Sequence, residues 1–198
     1  MDKTLKLSLL SLIGNMAFSA YHIVFGAITR SWWLLTLGIY YVILSIVRFA
    51  VLQSKRNDRF VATFTGVMLM ALSVPIAGTV VLSFVKDRGT VFHEIIMIAV
   101  AAYAFTKITL ASVNWVKSRK SASAKLITLR NISFADAFVS IFSLQRSMLV
   151  SFEGMTETEI RMMNIATGSA VCIVVCLLGL NLVRNKKILF GTLNHTKK

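Results

Sequence analysis

The stretch RNISFADAFVSIFSLQR, from Arg130 to Arg146, sets one carboxylate and three hydroxyls in apolar sequence with an arginine at each end. Asp136, Ser140, Ser143 and Ser147 follow one another at spacings of four, three and four, so they share one face of a helix. A second stripe, Ser8, Ser11, Asn15, Ser19, His22 and Gly26, repeats that spacing near the start of the chain. Lys107 lies alone in a third apolar run, and Arg48 and Arg146 each lie near the end of one. Together these residues could line a path for an ion or small solute, with Asp136 or His22 exchanging protons. Catalysis needs paired carboxylates, a histidine cluster or a nucleophile beside a base, and the sequence offers none at usable spacing. The expectation is therefore a protein that is not an enzyme and holds no cofactor. Cys172 and Cys176 have no histidine or cysteine partners at metal-ligand spacing and read as packing residues.

The elements that must position these groups follow from composition. Hydrophobic residues make up 56% of the 198, charged residues only 15%, and the mean hydropathy is +0.73. A soluble domain usually carries about a quarter charged residues. Six apolar runs, at about 7–29, 32–53, 60–85, 95–116, 132–150 and 162–183, approach the roughly 20 residues a helix needs to cross a bilayer. The reading is an all-α integral membrane protein of one domain, 1–198, with a basic tail at 184–198. Lys3 and Lys6 ahead of an apolar run, with Ala17 to Ala20 resembling a cleavage site, imitate a signal peptide, but the apolar run continues and reads as a true span. Pro75 falls inside the third span, where a kink is tolerated if neighbours satisfy the freed carbonyl.

The net charge of +14 is distributed unevenly. Lys3, Lys6, Lys55, Arg56, Arg59, Lys117, Arg119, Lys120, Lys125, Arg130, Arg184, Lys186, Lys187, Lys197 and Lys198 fall on one side of the six spans. Arg30, Lys86, Arg88 and Arg161 fall on the other, among Asp87, Glu94, Glu153, Glu157 and Glu159. The positive-inside rule then places both termini in the cytoplasm of a multi-pass cell-membrane protein. The basic excess is an orientation signal that also suits an anionic inner leaflet, and no nucleic-acid partner is implied.

Depth separates the basic residues within the spans. Arg48, near the inner end of span two, and Arg146, near the outer end of span five, are expected to extend to the interface as boundary or gate residues. Lys107 lies about 14 Å deep and requires a protein partner, while Asp136 lies about 6 Å deep and faces the interior. Asn15, Lys107 and Asp136 fall in the same half of the membrane and are expected to form one cluster. The pathway candidates are thus Asn15, Ser19, His22, Lys107, Asp136 and Ser140, between spans one, two, four and five. His22 has the alternative of a hydrogen-bonded packing residue. Small residues of span six, Gly168, Cys172 and Cys176, permit close helix contact within one subunit or across a homodimer.

Three short matches recur in order: Ala17-Phe18-Ser19 with Ala104-Phe105-Thr106, Ser45-x-x-Arg48 with Ser143-x-x-Arg146, and Thr65-Gly66 with Thr167-Gly168. With three spans per half, such a repeat would be inverted across the membrane, as in many alternating-access transporters. The order Asn15, His22, Gly26, Ser31 also resembles the opening of the cation diffusion facilitator superfamily, and Ser123 with LRNISFADAFVS resembles that family's fifth span. The resemblance implies a six-span bundle with both termini inside and a tetrahedral site of two ligands on span two and two on span five. The matching positions here are Tyr40, Leu44, Ile132 and Asp136, of which only Asp136 keeps a ligand. One carboxylate cannot hold zinc. With the sequence ending soon after span six, the expectation is that the family's cytoplasmic domain is lacking. It is similar as well to short six-span proteins of Gram-positive bacteria, a likeness that carries no activity. The functional expectation is a small secondary transporter or ion-translocating protein. The alternative is a regulatory or binding membrane subunit that keeps the bundle and does not transport.

Overall fold

The computed structural model describes residues 3–54, 58–85, 94–118, 124–151 and 154–184. The side chains of Lys3, Lys6, Ser8, Arg59, Glu94 and Lys117 lie outside the described residues. So do Lys55, Arg56, Lys86, Asp87, Arg88, Arg119, Lys120, Ser123, Glu153 and the tail from 185 onward, including Lys186, Lys187, Lys197 and Lys198. The described residues form six α-helices and no strand: α1 (Lys3–Thr29), α2 (Trp32–Gln53), α3 (Asp58–Val85), α4 (Glu94–Ser118), α5 (Ala124–Ser151) and α6 (Glu157–Arg184). All six are long and apolar enough to cross a membrane.

The largest departure from the expected boundaries is at α5, which begins at Ala124 and not near 132. Arg130 and Asn131 stay helical because their polar groups find partners there. The Arg130 guanidinium lies 4.5 Å from the centre of the Trp115 ring of α4, and Asn131 Nδ2 donates to the Ile127 carbonyl at 3.1 Å. The longer helix puts Asp136 twelve residues from its start, about 18 Å along the axis and near its middle.

Helix α5 is among the less apolar of the six and also the most buried, 67% of its most apolar window against 22% for α4. It runs through the bundle interior beside α2. Leu34, Leu37, Tyr40, Tyr41, Leu44 and Val47 of α2 meet Leu129, Ile132, Ala135, Val139 and Phe142 of α5 in one core. Around that centre α1 packs on α2, α4 on α5, and α3 on α6.

Glycines permit the close approach of α3 and α6. A Cβ on Gly66 of α3 would lie 2.7 Å from the Gly179 carbonyl oxygen of α6, and one on Gly179 would lie 2.7 Å from the Gly66 oxygen. The backbones touch at that crossing, as small residues allow in membranes. The small face of α6 is used within the chain: Gly168 abuts Val80 and Phe142, and Cys172 Sγ donates to the Ser73 carbonyl of α3 at 3.4 Å.

Helix α6 begins with a capping box. Glu159 Oε2 accepts from Thr156 N at 2.8 Å, and Thr156 Oγ1 accepts from Glu159 N at 3.3 Å. Helix α1 ends in a Schellman motif: Ser31 N donates to the Gly26 carbonyl at 3.0 Å and Arg30 N to the Ala27 carbonyl at 3.4 Å. Arg30 therefore takes a φ of 51°, the left-handed region glycine enters freely. Left-handed backbone costs about 1–2 kcal/mol for a side chain with a Cβ, partly offset by glycine's greater freedom in the unfolded chain. Arg30→Gly is expected to raise stability by about 0.5–1 kcal/mol, measured as a higher midpoint in thermal unfolding of the detergent-solubilised protein.

Candidate functional site

Asp136 is the meeting point of four helices. Its Oδ2 accepts from Asn15 Nδ2 of α1 at 3.1 Å, from Arg48 Nη2 of α2 at 3.1 Å and from Lys107 Nζ of α4 at 2.7 Å. Two of these contacts are ion pairs, and all four residues are 4% exposed or less. One carboxylate facing two cations leaves the buried set with a formal charge of +1. Charges sequestered from water need such pairing, since removing an ion from water costs several kcal/mol even after relaxation.

A second ring of partners holds the first. Arg48 Nη1 donates to Ser11 Oγ, and Lys107 Nζ donates to Asn15 Oδ1, to Ser11 Oγ at 3.0 Å and to the Ser11 carbonyl at 3.4 Å. Tyr103, one turn before Lys107 on α4, donates its hydroxyl to Asn15 Oδ1 at 2.7 Å, and its ring centre lies 5.1 Å from the ammonium. Ser140 Oγ donates to the Asp136 carbonyl at 2.8 Å and accepts from the Tyr41 hydroxyl at 3.0 Å, which ties α2 to α5 one turn from the carboxylate. Among the described residues, two buried polar atoms of the cluster, Asp136 Oδ1 and Arg48 Nε, have no hydrogen-bond partner, and neither does the buried Tyr40 hydroxyl.

Of the residues singled out in the sequence, Asn15, Lys107 and Asp136 are brought together, and Ser140 lies adjacent. Arg48 joins them. The expectation that it would extend to the interface does not hold, because its side chain is 0% exposed and turned into the bundle. Arg146 does not reach the surface either. It is buried, with its guanidinium 4.3 Å from the centre of the Trp33 ring of α2, in the half of the bundle away from Asp136.

Ser19 and His22 lie outside the cluster. Ser19 Oγ donates to the Gly38 carbonyl at 2.9 Å, where α1 and α2 approach closely. His22 is buried with Nδ1 2.8 Å from the Phe18 carbonyl, which assigns the proton to that nitrogen. Its ring is surrounded by Phe18, Tyr21 and Tyr41 at 4.2–6.0 Å. That environment is one of packing.

Sequence reasoning missed Arg48, Ser11 and Tyr103 as members. A signal existed for Arg48. Ile39, Val42, Ile46 and Phe49 form an exposed stripe along α2, and Arg48 falls on the opposite stripe with Leu37, Tyr41, Leu44 and Val51, all buried.

The metal-site positions implied by the cation diffusion facilitator resemblance hold Tyr40, Leu44, Ile132 and Asp136, all buried. Among the described residues no group of three or more His, Cys, Asp or Glu side chains could hold a metal ion. No protein-family model matches the chain, and no curated protein matches it.

Proposed function

We propose that this protein is a small secondary transporter or ion-translocating protein whose polar pathway runs between α1, α2, α4 and α5. The observation that carries the reading is Asp136 gripped at once from α1, α2 and α4. A bundle that served only as a scaffold needs no such arrangement, because apolar residues of equal volume would pack without the desolvation cost. A carboxylate shared by groups on separate helices changes partners when those helices move, which is what alternating access requires. The cluster is closed to solvent, so it corresponds to an occluded state.

Several further features belong to this reading. The protein sits in the cell membrane with both termini in the cytoplasm and its basic segments against the anionic inner leaflet. The two halves form an inverted repeat. Helix pairing supports it, since α1–α2 corresponds to α4–α5 and α3 to α6. Reciprocal contacts support it too: Gly66 abuts Leu182 and Gly168 abuts Val80, and an offset of 102 residues carries 66 to 168 and 80 to 182. A divergent relationship to cation diffusion facilitators fits the six helices, but with Tyr40, Leu44 and Ile132 at ligand positions the cargo is not zinc.

The test is flux in proteoliposomes. Proton and sodium movement under an imposed gradient is expected in the native protein, and Asp136→Asn, reconstituted to the same level, should reduce it at least tenfold. Undiminished flux would remove Asp136 from the mechanism. The second reading, a regulatory or binding subunit, is favoured by the complete burial of Arg48, Asn15 and Asp136. It predicts no flux for either ion and stoichiometric recovery of a membrane partner.

A further inference from the structure

The Lys107 ammonium occupies a cage built like a cation site. Around Nζ stand Asp136 Oδ2 at 2.7 Å, Ser11 Oγ at 3.0 Å, the Ser11 carbonyl at 3.4 Å and Asn15 Oδ1, with the face of the Tyr103 ring closing a further side at 5.1 Å. Every ligand atom is oxygen, and only one carries a full negative charge. Hard monovalent cations favour such donors, and an aromatic face attracts any cation presented to it. Divalent ions need more ligands and usually more carboxylates. Soft metals would need sulfur or imidazole.

From this geometry we infer that the cage is a monovalent-cation site in which Lys107 acts as a tethered occupant, exchangeable with a free cation of the same charge. The inference rests on the transport reading above and gives its substrate class. Replacing the ammonium by a free monovalent ion leaves the buried formal charge unchanged, so the exchange avoids the penalty of adding or removing a charge in low dielectric. Arg48 stays on Asp136 Oδ2 throughout. The flexible four-carbon stem of Lys107 lets its head withdraw once the helices part and water enters the site, so the ammonium is not carried into lipid. Asp136 Oδ1, buried and without a hydrogen-bond partner among the described residues, offers the arriving ion a further ligand that the ammonium does not use.

The experiment uses the full chain with Lys107→Ala, which removes the ammonium and leaves the cage. Thermal midpoints are measured in ammonium, sodium, potassium and choline chloride at equal ionic strength. The native protein should give the same midpoint in all four. Lys107→Ala should be stabilised saturably by at least one small cation relative to choline, by about 5 °C at a hundredfold excess over its dissociation constant. Lys107→Ala with Asp136→Asn should lose that response. Lys107→Met, which refills the space of the stem, is the second variant in case the first does not fold. Equal midpoints in all four salts would overturn the inference. So would a response that survives loss of the Asp136 charge, or failure of both Lys107 variants to give monodisperse protein in every salt. A cation response without flux in proteoliposomes would retain the site and dismiss transport, whereas flux without a cation response would do the reverse.

Discussion

Asp136→Ala is expected to be the most destabilising single substitution at the polar cluster, by about 3–5 kcal/mol. The methyl group leaves the Arg48 guanidinium and the Lys107 ammonium facing each other, both buried, with no counter-charge between them. For a chain of this size each kcal/mol moves the thermal midpoint by about 2–4 °C, so a fall on the order of 10 °C should be seen in detergent or nanodiscs. The comparison that isolates the cause is the triple variant Arg48→Met, Lys107→Met, Asp136→Leu. An apolar core of similar volume has no ions to desolvate, and it should recover most of that stability. The partners must couple strongly and non-additively. An Asp136→Ala variant within about 1 kcal/mol of native stability would show that the two cations find water or other counter-charges, which their burial excludes.

The second large effect is expected at the α3–α6 crossing. Gly179→Val places a branched side chain where even a Cβ lies 2.7 Å from the Gly66 oxygen and 3.1 Å from Met70 N, both backbone atoms that cannot rotate aside. The helices must separate. Forced overpacking typically costs about 1–3 kcal/mol, and the weaker packing along the rest of the crossing adds to that. Gly66→Val meets the Gly179 oxygen at the same distance and should behave alike. Because one separation relieves both clashes, the double variant should cost much less than the sum. Gly78 of α3 supplies the control: its Cβ direction is open, with no atom within 4 Å. Gly78→Ala should be neutral or slightly stabilising by helix propensity. Equal thermal midpoints for Gly78→Ala and Gly179→Val would contradict the crossing.

Much of this architecture is legible in the sequence because hydropathy is a strong signal in membranes. The bounds of α2 agree with the apolar run at 32–53 to the residue, and those of α1, α3 and α4 lie within a few residues. The start of α5 is not legible. Arg130 and Asn131 look like the edge of a loop until Trp115, on the preceding helix, is known to lie beside them. Depth counting brings Lys107 and Asn15 together because they lie too deep to stand alone in lipid, and adds Asp136, about 6 Å deep from the expected span end, because its side chain is too short to reach the interface. It fails for Arg48, whose distance of five residues from the end of α2 permits an escape to the interface that the tertiary packing does not use. Ser11 and Tyr103 contribute through carbonyl, hydroxyl and ring contacts that residue type alone does not announce.

The central helix carries a consequence for how the protein is made. Helix α5 contains the aspartate and two arginines that partition poorly into hydrocarbon, yet it sits furthest from lipid, and an aspartate or arginine at mid-membrane costs an inserting segment about 3 kcal/mol. It is synthesised after α1, α2 and α4, the three helices that supply every charged or amide partner of Asp136. The nascent fifth segment therefore enters the bilayer against a receptive surface already in place. Translation order along this chain is also an order of shelter: a later segment bearing a charge is received by earlier ones holding its complement.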